Sequence, residues 1–475
     1  MTELGILDRL RRRRRVSSPI VEAYLEEAAP APKKSGPWSD PFLIGMNLAG
    51  IAISPFLAVH KLRRFAGYRN IDEINPERWF IKPVNPQATA AVRALPGPHV
   101  MIVGASFGEL LLMERVTEEL EAKLGPIGIS WVLRDRETIR QAAKFHPNRS
   151  LAYWPFDSLY PVVRLLRSMR PDLMVMTERY RAANLVVGAS RSGVSTVLIN
   201  GRWRRRPPFV EGIQRGFARK LLSSFRTLLF QSQTHLDSAK PLLNPEQVVK
   251  ITGDLKYDLR QKDLSPEAAA SLAAWLGDGP PILAAGSTDV PAEEEMVLSA
   301  FMAVREETPC RLLLAPRRPN RRDEVLKMLE RYGLKASLRS SPTEGADVFI
   351  LDTMGELAWA YRYSVATYVG GSFSGMGHNV IEPVGYGLPV TYGMRRGHFE
   401  SMQKLCERHG VGFRVADAGE LSEIWKRAVL DREFADGVRA KGAALVEAQR
   451  GAMRTTVDAL EAEIVALRKR GGRAA

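Results

Sequence analysis

Residues 100–125 read VMIVGASFGELLLMERVTEELEAKLG, and this stretch decides the fold class. Its opening six residues, Val100 to Ala105, form an uncharged apolar run that suits a strand buried on both faces. A short polar turn follows. Apolar residues then return at helical spacing and stop before Gly125. Strand, tight turn and helix make up the repeating unit of a parallel sheet, whose crossovers run through helices.

Working outward, the same kind of run recurs as DLMVMT (172–177), STVLIN (195–200), TLLFQS (227–232) and VVKITG (248–253). A second series begins after the polar segment QKDLSPEAAASLAAWLGDGPP: ILAAGS (282–287), RLLLAP (311–316), DVFILD (347–352), VATYVGG (365–371) and LPVTYG (388–393). Two α/β domains in tandem follow from this, joined near residues 258–280. Ligands of such sheets gather at the carboxyl ends of the strands, so the polar residues just after each run are the ones to read.

Composition narrows the partners. With 475 residues the chain exceeds one ordinary core, and 68 Lys and Arg against 53 Asp and Glu leave a net charge of +15. That excess points to an anionic partner: a membrane surface, a phosphorylated substrate or nucleic acid. Two cysteines, Cys310 and Cys406, exclude a disulfide framework or a Cys-rich metal site. The amino-terminal residues 1–40 carry five successive arginines, Arg11 to Arg15, and an aperiodic Ala/Pro/Lys-rich stretch, and are expected to be disordered. Residues 41–66 follow as an expected membrane-anchoring or interfacial helix. No charge falls between Phe42 and Val59, and Lys61, Arg63 and Arg64 come directly after, which places the rest of the chain on the cytoplasmic side.

The strand ends carry the chemistry. ASFGE leaves Glu109 in the first turn of a helix, where it is either a capping acid or a general base at a cleft. Glu178 repeats the arrangement after another strand. Arg317 and Arg318 sit between a strand and a helix, suited to a phosphate or carboxylate. In LDTMGEL, Asp352 or Thr353 is the expected cap and the amides of Met354, Gly355 and Glu356 the expected anion donors. The loop GGSFSGMGHNVIEPVGYGLPV (370–390) holds six glycines, which let the backbone approach a ligand. Asn379 and Glu382 are expected on one face of the helix beginning there, with Glu382 able to take both hydroxyls of a ribose. No Walker loop, dinucleotide fingerprint or metal-ligand spacing is present.

Taken in order, ASFGE, TERYRAANL, INGR, FQSQTHLD, ITGDLKYD, AAGSTDVPAEEE, APRRP, LDTMGEL and the glycine loop resemble the motifs of the Kdo transferases, membrane-associated glycosyltransferases of the GT-B fold. The resemblance runs from about Val100 to Gly412. It implies two Rossmann-like domains with an inter-domain cleft: an acceptor domain over 67–262 and a nucleotide-sugar domain with closing helices over 263–475. It also implies transfer of Kdo from CMP-Kdo to a glucosamine hydroxyl of a lipid A precursor, with inversion and with no metal or cofactor, at the cytoplasmic face of the inner membrane. Glu109 matches the family's base. Arg317, Met354, Gly355, Glu356, Asn379 and Glu382 match CMP-contacting positions, and Ser106, Gly108, Glu178, Lys256, Ser287, Arg318 and His378 are further cleft candidates. The anionic lipid acceptor suits the basic stretch 201–220, with Trp203 and Phe209 placed to meet headgroups; nucleic acid is not an expected partner.

The resemblance breaks in places. RYRAAN (179–184) stands where a Leu-Trp-Pro-Asn run is usual, Arg318 where a His is usual, and the loop before His378 is one residue shorter. Three other readings compete: a GT-B transferase or epimerase for another nucleotide sugar, a catalytically lapsed membrane-bound relative, and a scaffold or nucleic-acid binder explained by charge alone.

Overall fold

The computed structural model describes residues 36–48, 77–80, 83–178, 182–203, 208–258, 264–373, 375, 377–395 and 399–471. The chain divides into two compact units, Met1–Leu259 with Gly451–Ala475, and Arg260–Arg450.

The first unit is built on β1 (Val100–Gly104), β2 (Ile129–Leu133), β3 (Ser150–Tyr153), β4 (Leu173–Thr177), β5 (Ser195–Gly201), β6 (Thr227–Phe230) and β7 (Val248–Ile251). They form a seven-stranded sheet in the order β3-β2-β1-β4-β5-β6-β7, with every pairing parallel. Strand β1 shows why the run at Val100 carries so little polarity. Val100 and Ile102 enter one core, Met101 and Val103 enter the core on the opposite face, and all four are fully buried. Both faces of the sheet are therefore covered, and the strand reads as continuously apolar.

The second unit carries β8 (Ile282–Thr288), β9 (Arg311–Pro316), β10 (Ala336–Leu338), β11 (Val348–Ile350), β12 (Ser364–Val369), β13 (Val390–Gly393) and β14 (Gly412–Val415). This sheet is also seven-stranded and parallel, in the order β10-β11-β9-β8-β12-β13-β14. In each sheet the strand order reverses once: beside β1, where β4 takes up the far side, and beside β8, where β12 does so. Such reversals open a crevice at the carboxyl ends of the two strands involved.

The sequence pattern did not register β2, β3, β10 and β14. Strand β10 has three residues, β10 and β14 lie at sheet edges and are only partly buried, and the fully buried β2 and β3 each carry a serine, Ser130 and Ser150, whose hydroxyls bond to each other at 2.8 Å and interrupt the apolar run. A second difference concerns the last helix, Ala452–Gly471, expected among the closing helices of the nucleotide-sugar domain. It belongs to the first unit. Met453, Val457, Leu460 and Ile464 lie in the same core as β1, and the buried Glu463 takes bonds from Arg226 Nε (3.1 Å) and Thr227 Oγ1 (2.8 Å). Asp258 fixes the entry of that helix by accepting from the amides of Gly451 (3.0 Å) and Met453 (2.6 Å).

Of the expected amino-terminal helix, residues 41–48 are described and helical. Asp40 caps them, accepting from Phe42 N at 3.0 Å, and is itself buried against Arg191 (2.6 Å) and Lys220 (3.0 Å). Leu43 is fully buried among Leu159, Val163 and Val187, so the start of the apolar segment docks on the first unit. Arg11 to Arg15 and residues 49–66 lie outside the described residues. Among those described, no helix is long and apolar enough to cross a membrane.

Candidate active site

In the first unit the candidates collect where the strand order reverses. Glu109 occupies the first turn of the helix Phe107–Leu124, which follows β1, and only 2% of its surface is exposed. Its carboxylate accepts from Ala105 N (2.8 Å), Ser106 Oγ (3.2 Å) and Thr177 Oγ1 (2.7 Å), so the acid is held by its own turn and by the tip of β4. An ionised carboxylate is acceptor-only and can take all of these donors together. Ser106 is thus a positioning hydroxyl at the helix entry. At Gly108 a Cβ would meet nothing within 4 Å, so packing does not require the glycine there and the backbone borders open space.

Glu178 follows β4 with φ at +43°, in the left-handed region that costs a residue other than glycine energy. Its side chain pairs with Lys256 Nζ at 2.6 Å and accepts from Asn200 Nδ2 at 2.9 Å. Asn200 repeats the strain at the end of β5 (φ +53°), is fully buried, and also accepts from Leu255 N at 2.9 Å. That one amide ties the ends of β4 and β5 to the turn bearing Lys256. Asp254 completes the cluster; burial raises its pKa, and the charge of Lys256 opposes the rise. Sequence reasoning carried Glu178 and Lys256 but gave Asn200 no role. Its signal was the Asn-Gly pair at the end of an apolar run, a marker of positive φ. Residues 179–181, the centre of the departure from the family pattern, lie outside the described residues. Trp203 is partly buried, packs against the core and accepts from His235 Nδ1 through its carbonyl (2.7 Å); the Phe209 side chain is outside the described residues.

In the second unit the candidates line the carboxyl ends of four adjacent strands, β11, β9, β8 and β12. Arg317 follows β9, exposed, with its amide on Thr288 O at 2.8 Å. Arg318 pairs with Asp289 at 3.0 Å. Ser287 has φ of +58° at an irregularity in the pairing of β8 with β9. Gly370 must be glycine there, since a Cβ would lie 2.5 Å from Ser287 O.

Two local expectations are corrected. The helix after β11 is Leu357–Ala360, with Glu356 as its N-cap residue, so Asp352 and Thr353 do not cap it; Asp352 accepts instead from Ser340 N at 2.9 Å. Met354 and Gly355 therefore precede the helix, the first 66% exposed and the second at φ +91°, while Glu356 turns its side chain to Arg339 at 2.9 Å. Likewise the helix after the glycine loop is Ile381–Gly385, and Asn379 stands before it rather than on its face. Asn379 still meets Glu382, through Nδ2 to Oε1 at 3.0 Å, and accepts from Ile381 N at 3.0 Å. Glu382 keeps solvent contact, yet desolvation by surrounding protein raises its pKa while the Asn379 amide lowers it. His378 is held below its ordinary pKa by burial and by the charge of Arg317, which keeps the ring neutral. Among the described residues no group of three or more His, Cys, Asp or Glu is placed to hold a metal ion.

The family profile described as "3-Deoxy-D-manno-octulosonic-acid transferase (kdotransferase)" matches residues 75–259, the segment that carries Glu109, Glu178, Asn200 and Lys256. The 3-deoxy-D-manno-octulosonic acid transferase of Bordetella pertussis is 30% identical over 321 residues, covering 65% of this chain and 73% of that protein. The chain belongs to the Kdo transferase family. Its relative of the same name in Haemophilus influenzae is 26% identical over 374 residues, covering 77% of this chain and 87% of that one. The UDP-GlcNAc 2-epimerase of Neisseria meningitidis, solved with UDP-GlcNAc, superposes with a TM-score of 0.55 at 13% identity over 76% of this chain and 99% of its own, a likeness of fold alone. The two parallel sheets are those of a GT-B protein, and this Kdo transferase family member is a glycosyltransferase.

Proposed function

We propose that the enzyme transfers Kdo from CMP-Kdo to a glucosamine hydroxyl of a lipid A precursor, in lipopolysaccharide synthesis, with inversion and without a metal ion. The observation that carries this reading is the caged Glu109 at the strand-order reversal of the first unit. In a single displacement the acceptor oxygen bonds to the anomeric carbon as the bond to the CMP phosphate oxygen breaks, and the acceptor proton passes to Glu109. Arg317 and the amides around Met354 and Gly355 stabilise the departing phosphate, and Asn379 and Glu382 take the ribose hydroxyls. Glu178 is engaged by Lys256 at 2.6 Å, which suits a charge-holding role beside the acceptor rather than a second base.

The setting is the cytoplasmic face of the inner membrane, with an anionic lipid surface and no nucleic acid as partner. The net charge of +15 supports it, as do Trp38, Ile44 and Leu48, exposed on the docked amino-terminal segment. Mass spectrometry of a lipid A precursor incubated with the protein and CMP-Kdo tests the proposal. A gain of one or more Kdo units is the expected result. An unchanged precursor, with turnover of a UDP-sugar instead, transfers the case to another nucleotide sugar.

A further inference from the structure

We infer that Glu293 is a positioning residue for the nucleotide-binding loop, acting through the backbone rather than on the donor itself. Glu293 lies in the first turn of the helix Pro291–Arg305 and is fully buried. A carboxylate there would ordinarily satisfy its own helix start, and Glu293 does so once, accepting from Asp289 N at 3.0 Å. Its other partners belong to a different strand and loop. Oε2 also accepts from Gly371 N at 3.0 Å, and Oε1 from Phe373 N at 3.0 Å, with the Tyr368 hydroxyl at 3.4 Å. One side chain therefore joins the turn after β8 to the loop after β12, across the strand-order reversal.

The hold passes down the loop. Gly371, at φ +82°, accepts from Gly377 N at 2.9 Å and lies against the His378 ring, so that a Cβ at 371 would come within 2.7 Å of its Cδ2. Asn379 and Glu382 follow directly. Charge-assisted bonds from a buried carboxylate to backbone amides are strong and directional, and they fix where the loop leaves β12. Nothing in the sequence marks Glu293 apart from its neighbours in PAEEE: Glu294 is spent on Arg321 at 2.7 Å, and Glu295 is a surface partner of Arg331 at 3.0 Å.

The inference rests on the donor-site reading above, and its test separates the two. In the full chain, Glu293→Gln keeps the volume but presents an amide N–H₂ toward backbone donors. Gly371→Ala disturbs the same joint from the other side, and Glu295→Gln is the surface control. Calorimetry with CMP, steady-state kinetics with CMP-Kdo, and hydrogen exchange of the segment 370–382 are measured on each. Both loop variants are expected to weaken CMP and raise the donor KM by about tenfold or more, with kcat at saturating donor within about threefold and faster exchange in 370–382. Unchanged CMP affinity and donor KM in Glu293→Gln, with wild type binding CMP, overturns the positioning role. Failure of the wild type to bind CMP overturns the donor reading; faster exchange in the variant then leaves loop anchoring standing without that ligand.

Discussion

Both units place their polar residues at the carboxyl end of a parallel sheet, at the point where strand order reverses, yet they use that place in opposite ways. In the first, carboxylates point inward and are held by protein donors: Glu109 by Ala105, Ser106 and Thr177, and Glu178 by Asn200 and Lys256. In the second, the inward carboxylates Glu293 and Glu294 only brace the frame, while Arg317, Met354, Gly355 and Glu382 are left toward solvent. On the function proposed, a base must be held at one atom's position, and an anionic, hydroxyl-rich nucleotide must be met by donors and charges that are still available. The same crevice in the same kind of sheet serves either need, according to which groups the protein satisfies itself.

The contrast can be broken by mutation. The largest effect is expected at Glu109: Glu109→Gln should lower kcat by about 10²- to 10⁴-fold while CMP affinity in calorimetry stays near wild type. A comparable loss of CMP binding would mean that the two units do not divide the work as described. Next comes the tie between the first sheet and the last helix. Glu463→Ala removes the carboxylate paired with the buried Arg226 and should cost about 3–5 kcal/mol in denaturant unfolding, confined to the transition of the first unit. A shift of the second unit's transition instead would return that helix to the closing helices.

On the donor side, Glu382→Ala should weaken CMP by about 1–3 kcal/mol and leave acceptor KM alone; unchanged affinity would give the loop another purpose. The smallest effect sharpens the comparison by pH. Burial raises the pKa of Asp157, which accepts from Leu185 N at 3.2 Å, from 3.8 to about 6. The folded state then keeps a proton that the unfolded chain has lost, so stability of the first unit falls as pH rises through that window and levels above it. Melting curves from pH 4.5 to 7 should show this slope in wild type and a flatter one in Asp157→Asn. An equal slope in both would assign the dependence elsewhere.

How much of this was legible along the chain depended on the distance between partners. The strands β1, β4, β8 and β9 were plain, because they are buried on both faces by near-continuous apolar runs, whereas in β2 Ser130 breaks the run. Edge strands β10 and β14 are only partly buried, carry weaker patterns and are defined by pairing. Glu109 stood out by its place after an apolar run. Glu293 did not, because its partners Gly371 and Phe373 lie far along the chain, and a local pattern gives no sign of them. The corrections differ in cause: Asp352 is drawn off by the Ser340 amide, Thr353 donates to Glu356 just before the helix, and Asn379 still accepts from Ile381 N but stands ahead of a helix that begins later than its sequence suggests.

Alternation and turn chemistry alone determined that this chain makes two parallel α/β units with acids and arginines at the strand ends, since both depend on residues within a few positions of one another. Only the tertiary structure decided which carboxylates are caged, which guanidinium groups stay open, and that the final helix returns to the first sheet through Arg226 and Glu463, 237 residues apart. The physical reason is range. Burial period is written residue by residue, whereas the partner of a buried charge is chosen by whichever distant segment the fold brings within hydrogen-bonding reach.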